Sequence, residues 1–131
     1  MSRSKDQGTD WEREVLERCQ AAGLRAWRLA EHGSNDQGDL CIQIGSEHVI
    51  VEARCRSNLT VHPAVGLANS KARHPSAEFP ARFAFIAWKR LVPTEGQRRR
   101  QAGKPVAVLD LDDLLALLAG QGKVRLRDRS A

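Results

Sequence analysis

The sequence predicts a single α/β domain, a mixed sheet flanked by helices, in the order α-β-β-β-α-β-β-α. Three observations carry this. An apolar stripe of helical period runs through residues 9–22. Three short runs between residues 24 and 56 alternate apolar and polar residues with the period of strands. A run that is apolar on both faces, at 83–88, is followed by a leucine-rich helical segment. At 131 residues the chain is long enough to bury one real core.

Residues 1–8 are polar and are expected to form a flexible N-terminal segment. A first helix is expected from Thr9 to Ala22, striped by Trp11, Val15, Leu16, Cys19 and Ala22 and stopped by Gly23. Leu24 to Ala30, carrying Trp27 and Leu29, reads as a strand, and the small, polar stretch EHGSNDQG (31–38) as a loop. Leu40, Ile42 and Ile44 alternate in a second strand. Gly45-Ser46 signals a turn, and Val49, Val51, Ala53 and Cys55 alternate in a third strand. Thr60 or His62 is placed to cap a second helix with Pro63 in its first turn, running to about Arg73. Phe83 to Trp88 suits a central strand. A basic loop (94–104), a strand at Pro105 to Leu109 and a helix capped by Asp110 and ending near Gly120 complete a domain spanning 9–120. Residues 121–131 form a basic tail.

No apolar run approaches the ~18 residues of a membrane span, and no signal-peptide pattern opens the chain. Three cysteines, an odd number without CxxC spacing, point to buried free thiols in a reducing compartment. The net charge of +5 is local. Residues 82–104 hold seven bases (Arg82, Lys89, Arg90, Arg98, Arg99, Arg100, Lys104) against one acid, Glu95, so this segment is +6 and the remainder −1. Such a patch is either a solvated charge run or a surface that meets phosphate. With no Tyr and only three Trp and three Phe, backbone contact to duplex nucleic acid fits better than a base-stacking platform.

The candidate chemistry lies in DLCIQIGSEHVIVEARCR (39–56), where three charges stand on otherwise apolar strands. Residues i and i+2 share a strand face, so Glu52 and Arg54 point together, and a hairpin turn would bring Asp39 towards Glu52. Unpaired charges in a core are costly and are kept for a partner, a metal or a substrate. Asp39, Glu52 and the backbone carbonyl of Ala53 offer the oxygens that Mg²⁺ prefers. On the first helix, Glu12 falls on the apolar stripe, whereas Glu14 and Glu17 fall opposite. Structural alternatives stand beside each. Thr9-x-x-Glu12 matches a capping box. Asp39 could be a strand-end residue bonded to its loop, and Glu52–Arg54 a simple ion pair.

The helix-1 glutamate, the GD dipeptide, the hairpin and E-x-(basic) followed by a helix together resemble the PD-(D/E)XK nuclease superfamily. Within it the likeness is to Holliday junction resolvases of archaeal and phage type. WERE (11–14), GDLCIQI…HVIVEAR (38–54), FAFIAWKR (83–90) and VAVLDLDDLLALL (106–118) carry the resemblance, which spans about residues 8–118. It implies a restriction-endonuclease-like core and a Mg²⁺-dependent, structure-selective endonuclease, with Mn²⁺ able to substitute. Asp39 and Glu52 would be metal ligands, with Glu12 a further acidic ligand, through water. Arg54 occupies the motif's lysine position, and arginine cannot serve as a general base. Lys71 or Lys89 could instead supply an amine. His32 and Ser34 resemble substrate-contacting loop residues. Lys71, Lys89, Arg90, Arg98, Arg99, Arg100 and Lys104 would contact DNA phosphates. A homodimer is expected, because junction cleavage needs two symmetric cuts. The resemblance implies cytoplasmic residence in a prokaryotic cell or phage-infected host. A non-catalytic DNA-binding protein on the same fold, or a restriction- or repair-type nuclease, are the other readings.

Overall fold

The computed structural model describes residues 3–32, 37–92 and 100–130. Helix α1 spans Arg3–Ala21 and therefore begins well before Thr9. Arg3, Lys5 and Gln7 favour helix without adding to an apolar stripe, so periodicity does not register this first part. With Thr9 inside the helix, the capping-box reading of Glu12 is set aside. The C-terminus follows the sequence signal. Gly23 takes a left-handed conformation (φ 87°), its amide donates to Gln20 (3.0 Å), and Leu24 donates to Cys19 (3.0 Å). These are the paired bonds of a Schellman cap.

Strand β1 (Arg25–Arg28) leads through a 3-10 turn (Leu29–His32) towards β2 (Leu40–Ile44) and β3 (Glu47–Arg56). Both neighbouring pairs are antiparallel, and Ile44 faces Glu47 across the Gly45-Ser46 turn. Helix α2 (Val61–Ala72) then crosses over to β4 (Ala81–Val92), which lies parallel to β3. The basic loop ends in a short strand, β5 (Arg100–Gln101), against the end of β4, and β6 (Val106–Val108) also pairs antiparallel with β4. The expected order is thus kept, with one two-residue strand added. Helix α3 (Leu111–Ser130) continues past the expected stop, because Gly120 is not among the glycines that adopt positive φ and so forms no cap. Residues 121–130 are accordingly helical.

A core lies on each face of the sheet. Trp11, Val15 and Cys19 of α1 pack on Leu40, Ile42, Val51, Ala53 and Ala87. Ala68 and Ala72 of α2 pack with Leu29, Cys41, Ile50 and Ala84 on the opposite face. Ile50 belongs to the α2 side, so strand parity sends Glu52 and Arg54 to that side too. Three buried polar groups pin the layers. Trp11 Nε1 donates to Ala87 O (2.9 Å), tying α1 to β4. Asn69 Oδ1 accepts from Ala84 N (2.9 Å), tying α2 to β4. Gln37 Nε2 donates to Ala72 O (3.1 Å) and to Phe79 O, anchoring the approach to Asp39 on the end of α2. Buried amides of this kind fix geometry because each missing partner would cost a desolvation penalty. On α3, Leu111, Leu114, Leu115 and Leu118 face solvent. No helix among the described residues is long and apolar enough to cross a membrane.

Cys19, Cys41 and Cys55 are thiols outside any disulfide. Burial pushes the Cys41 thiol up to about 12, leaving roughly one part in ten thousand as reactive thiolate at pH 8. Alkylation of the native protein at that pH is expected to spare Cys41 and modify half-buried Cys55 first. Peptide mass spectrometry checks this, with Cys41 labelled only after denaturation.

Candidate active site

The site forms where β3 outlasts its neighbour. The last regular pair of the hairpin is Leu40 with Val51, and Asp39 N still donates to Val51 O (3.1 Å). Beyond that point the amide of Ala53 meets no β2 carbonyl. Asp39 Oδ2 accepts from it instead (2.9 Å), so a carboxylate completes the ladder. Gly38 is required just before it, since a Cβ there would run into Ile50 Cγ2. The GD dipeptide is therefore a packing requirement as well as a motif.

Glu52 is the most buried charge in the fold's described part, its side chain only 3% exposed. Two cations meet it. Arg54 Nη2 donates to Oε2 (2.7 Å), and Lys71 Nζ, from the last turn of α2, stands 2.6 Å from Oε1. The Lys71 contact is close but lacks hydrogen-bond alignment, so Oε1 is paired by charge alone. Arg54 also donates through Nη1 to Asp39 Oδ2 (3.3 Å) and to the Ala53 carbonyl (2.9 Å). One guanidinium thus spans Asp39, Glu52 and Ala53 O, the oxygens expected to hold a cation.

Glu12 reaches the same electrostatic neighbourhood from α1, as its place on the apolar stripe predicts. Its carboxylate lies 3.9 Å from Arg28 Nη2. Burial first, and the negative charge of Asp39 next, push its carboxyl above the ordinary value. Asp39 is raised as well, by burial and then by Glu52, against the opposing pull of the Ala53 amide, Arg54 and Lys71. Burial first, and mutual repulsion second, thus disfavour ionisation of both acids. Arg28 escaped the sequence reading. Its signal was parity, since it follows Trp27 at the end of β1 and falls opposite Leu40.

The structure brings Lys71 to the carboxylates and leaves Lys89 away from them. Lys89 points to α1, with Nζ 3.5 Å from Glu14 and 5.4 Å from the Trp11 ring. Arg90 donates to Ser57 O (3.3 Å). Arg100 and Lys104 are exposed. Ser34, Arg98, Arg99 and the side chain of His32 lie outside the described residues. A groove between α2 and β3 opens from Glu52, Arg54 and Lys71 past Arg56, Pro63 and Leu67. By donor chemistry Asp39, Glu52 and the Ala53 carbonyl fit a hard divalent cation. By geometry they are held by Arg54, and no cluster of three or more His, Cys, Asp or Glu forms among the described residues.

The site thus sits on a mixed sheet flanked by three helices, with its carboxylates on the β2–β3 hairpin. Among solved structures the chain is similar to Hjc, a Holliday junction resolvase of the archaeal hyperthermophile Archaeoglobus fulgidus. The identity is 23% and the TM-score 0.45, over 82% of this chain and 86% of that one. No protein-family model and no curated protein sequence matches.

Lys71→Met is expected to cost about 1–3 kcal/mol by leaving Glu52 Oε1 buried without a partner. Because Lys71 is about one-third exposed, the low end is expected. Adding Glu52→Gln should return part of that loss. Urea unfolding of both single variants and the double variant reads the coupling, and strictly additive effects would show that the pair does not interact.

Proposed function

We propose that this protein is a divalent-cation-dependent, structure-selective DNA endonuclease acting on four-way (Holliday) junctions. The observation that carries the reading is buried Glu52, within β3, beside Asp39 just ahead of β2, with two cations converging on the pair. A fold gains little stability from such a cluster, because desolvation offsets most of the attraction. Chemistry is the better reason to keep it.

Asp39, Glu52 and the Ala53 carbonyl would hold Mg²⁺, or Mn²⁺ in its place, with Glu12 acting through water. Bound there, such a cation would supply Lewis-acid polarisation of a phosphate and a more acidic water. The protein's own groups do the rest. Asp39 and Glu52 fix the donor geometry through their strands. Lys71 brings an amine to Glu52 from α2, and a lysine, unlike Arg54, is able to exchange its proton. Arg54 offsets negative charge developing on the phosphate. Arg90, Arg98, Arg99, Arg100, Lys104 and Ser34 would track backbone phosphates, reading shape rather than bases. Lys89, whose Nζ lies 3.5 Å from Glu14, would join them. Two symmetric cuts call for a C2 homodimer, and the solvent-facing leucines of α3 are an apolar surface suited to burial in it.

The second reading, a DNA-binding protein on a decayed nuclease fold, is favoured by one observation, the seat Arg54 takes among the candidate ligands. Labelled junction and matched duplex, incubated with Mg²⁺, Mn²⁺ or EDTA, separate the two. Cleavage of junction in either metal and none in EDTA is the expected result. Asp39→Ala and Glu52→Ala should abolish cutting while junction binding persists, and Lys71→Ala should slow it by about 10²-fold or more. Binding without cleavage in both metals would leave the second reading. Arg100→Ala with Lys104→Ala should weaken binding and lower the slope of log K against log salt by about one per lost contact.

A further inference from the structure

We infer that Arg54 is an internal counter-cation seated where the site's divalent ion binds, so that loading the ion requires the guanidinium to swing out. The inference rests on the cation-dependent reading above and adds a competition to it. Its basis is convergence. Nη1 meets Asp39 Oδ2 (3.3 Å) and Ala53 O (2.9 Å), and Nη2 meets Glu52 Oε2 (2.7 Å). A planar fork spans the three oxygens from two fixed nitrogens, where a lysine offers a single one. Lys71 approaches the other oxygen of Glu52, so it does not contest this position.

A divalent ion drawing on the same oxygens would stand within a few ångströms of a fixed positive charge, and like charges that close repel strongly away from bulk water. Arg54 and the ion therefore exclude one another at the shared oxygens. The side chain has a way out. It is 29% exposed and lies on the wall of the α2–β3 groove, on the same strand face as Arg56. Its long stem is able to carry the head along that groove without moving the strand.

Two consequences follow from competition. Without nucleic acid, cation affinity is lowered by the fraction of molecules in which Arg54 is seated. A DNA phosphate entering the groove offers the guanidinium a new anionic partner, which frees the carboxylates. Cation and DNA then promote each other's binding, by equal factors in each direction. The device keeps the carboxylates aligned and neutralised while no substrate is bound.

Mn²⁺ titration followed by electron paramagnetic resonance, in the absence of DNA, tests this on wild type, Arg54→Gln and Arg54→Lys. Arg54→Gln is expected to bind Mn²⁺ about 10-fold or more tighter than wild type, and Arg54→Lys to fall between. Added junction DNA, with Ca²⁺ as the titrated ion in calorimetry, should tighten ion binding in wild type and do so far less in Arg54→Gln. Equal or weaker Mn²⁺ binding by both folded variants, checked by circular dichroism, would overturn the inference. If Arg54→Gln does not fold, Arg54→Lys decides alone, and affinity no tighter than wild type overturns it. Junction cleavage by wild type with unchanged variant affinities would remove the competition and keep the nuclease reading. No Mn²⁺ binding by any form, with junction binding intact, would remove both.

Discussion

The architecture around the site answers to one constraint, the burial of an ionic carboxylate on an interior strand. The Glu52 side chain is 3% exposed, and Asp39, 28% exposed, stands beside it. A lone ion so placed would cost several kilocalories per mole in desolvation. Its tolerance depends on Arg54 from the same strand and Lys71 from the crossover helix. The place of α2 is therefore part of the electrostatics. Asn69 and Gln37, which pin α2 to β4 and to the approach of Asp39, hold Lys71 within reach of Glu52.

A second constraint is backbone satisfaction. The β2–β3 ladder stops at Leu40 and Val51, one position short of the carboxylates, and the amide of Ala53 is claimed by Asp39. That bond aims Asp39 at the space beside Glu52 while it replaces a ladder bond. The close approach of Gly38 to Ile50 makes it possible. Fold and site share these atoms, so structural and functional accounts of Asp39 are two descriptions of one arrangement.

Much of this was legible in the sequence because it depends on local rules. Gly23 marks a helix end through its backbone conformation, Gly45-Ser46 marks the hairpin, and parity along β3 puts Glu52 with Arg54. Glu12 follows from a hundred degrees per residue. What escaped depends on how distant pieces meet. Lys71 and Lys89 looked equivalent as sources of an amine. Only the parallel pairing of β3 with β4 decides that Lys89 faces α1 and Glu14 while Lys71 faces Glu52. Arg28 was hidden for the same reason, since its partner Glu12 is on another element. The start of α1 and the length of α3 escaped because their added turns carry no apolar period to detect.

The crossover has a consequence for the order in which the site assembles. The hairpin that brings Asp39 to Glu52 closes a two-residue turn, so its contacts are local and cheap in loop entropy. The β3–β4 pairing, and with it the docking of α2, encloses the whole intervening helix and is the slower, non-local event. Arg54 is already present on the hairpin, whereas Lys71 arrives only when the crossover closes. During folding the carboxylates are thus neutralised first by their own strand, and the helix supplies its cation to a pair that has already taken shape.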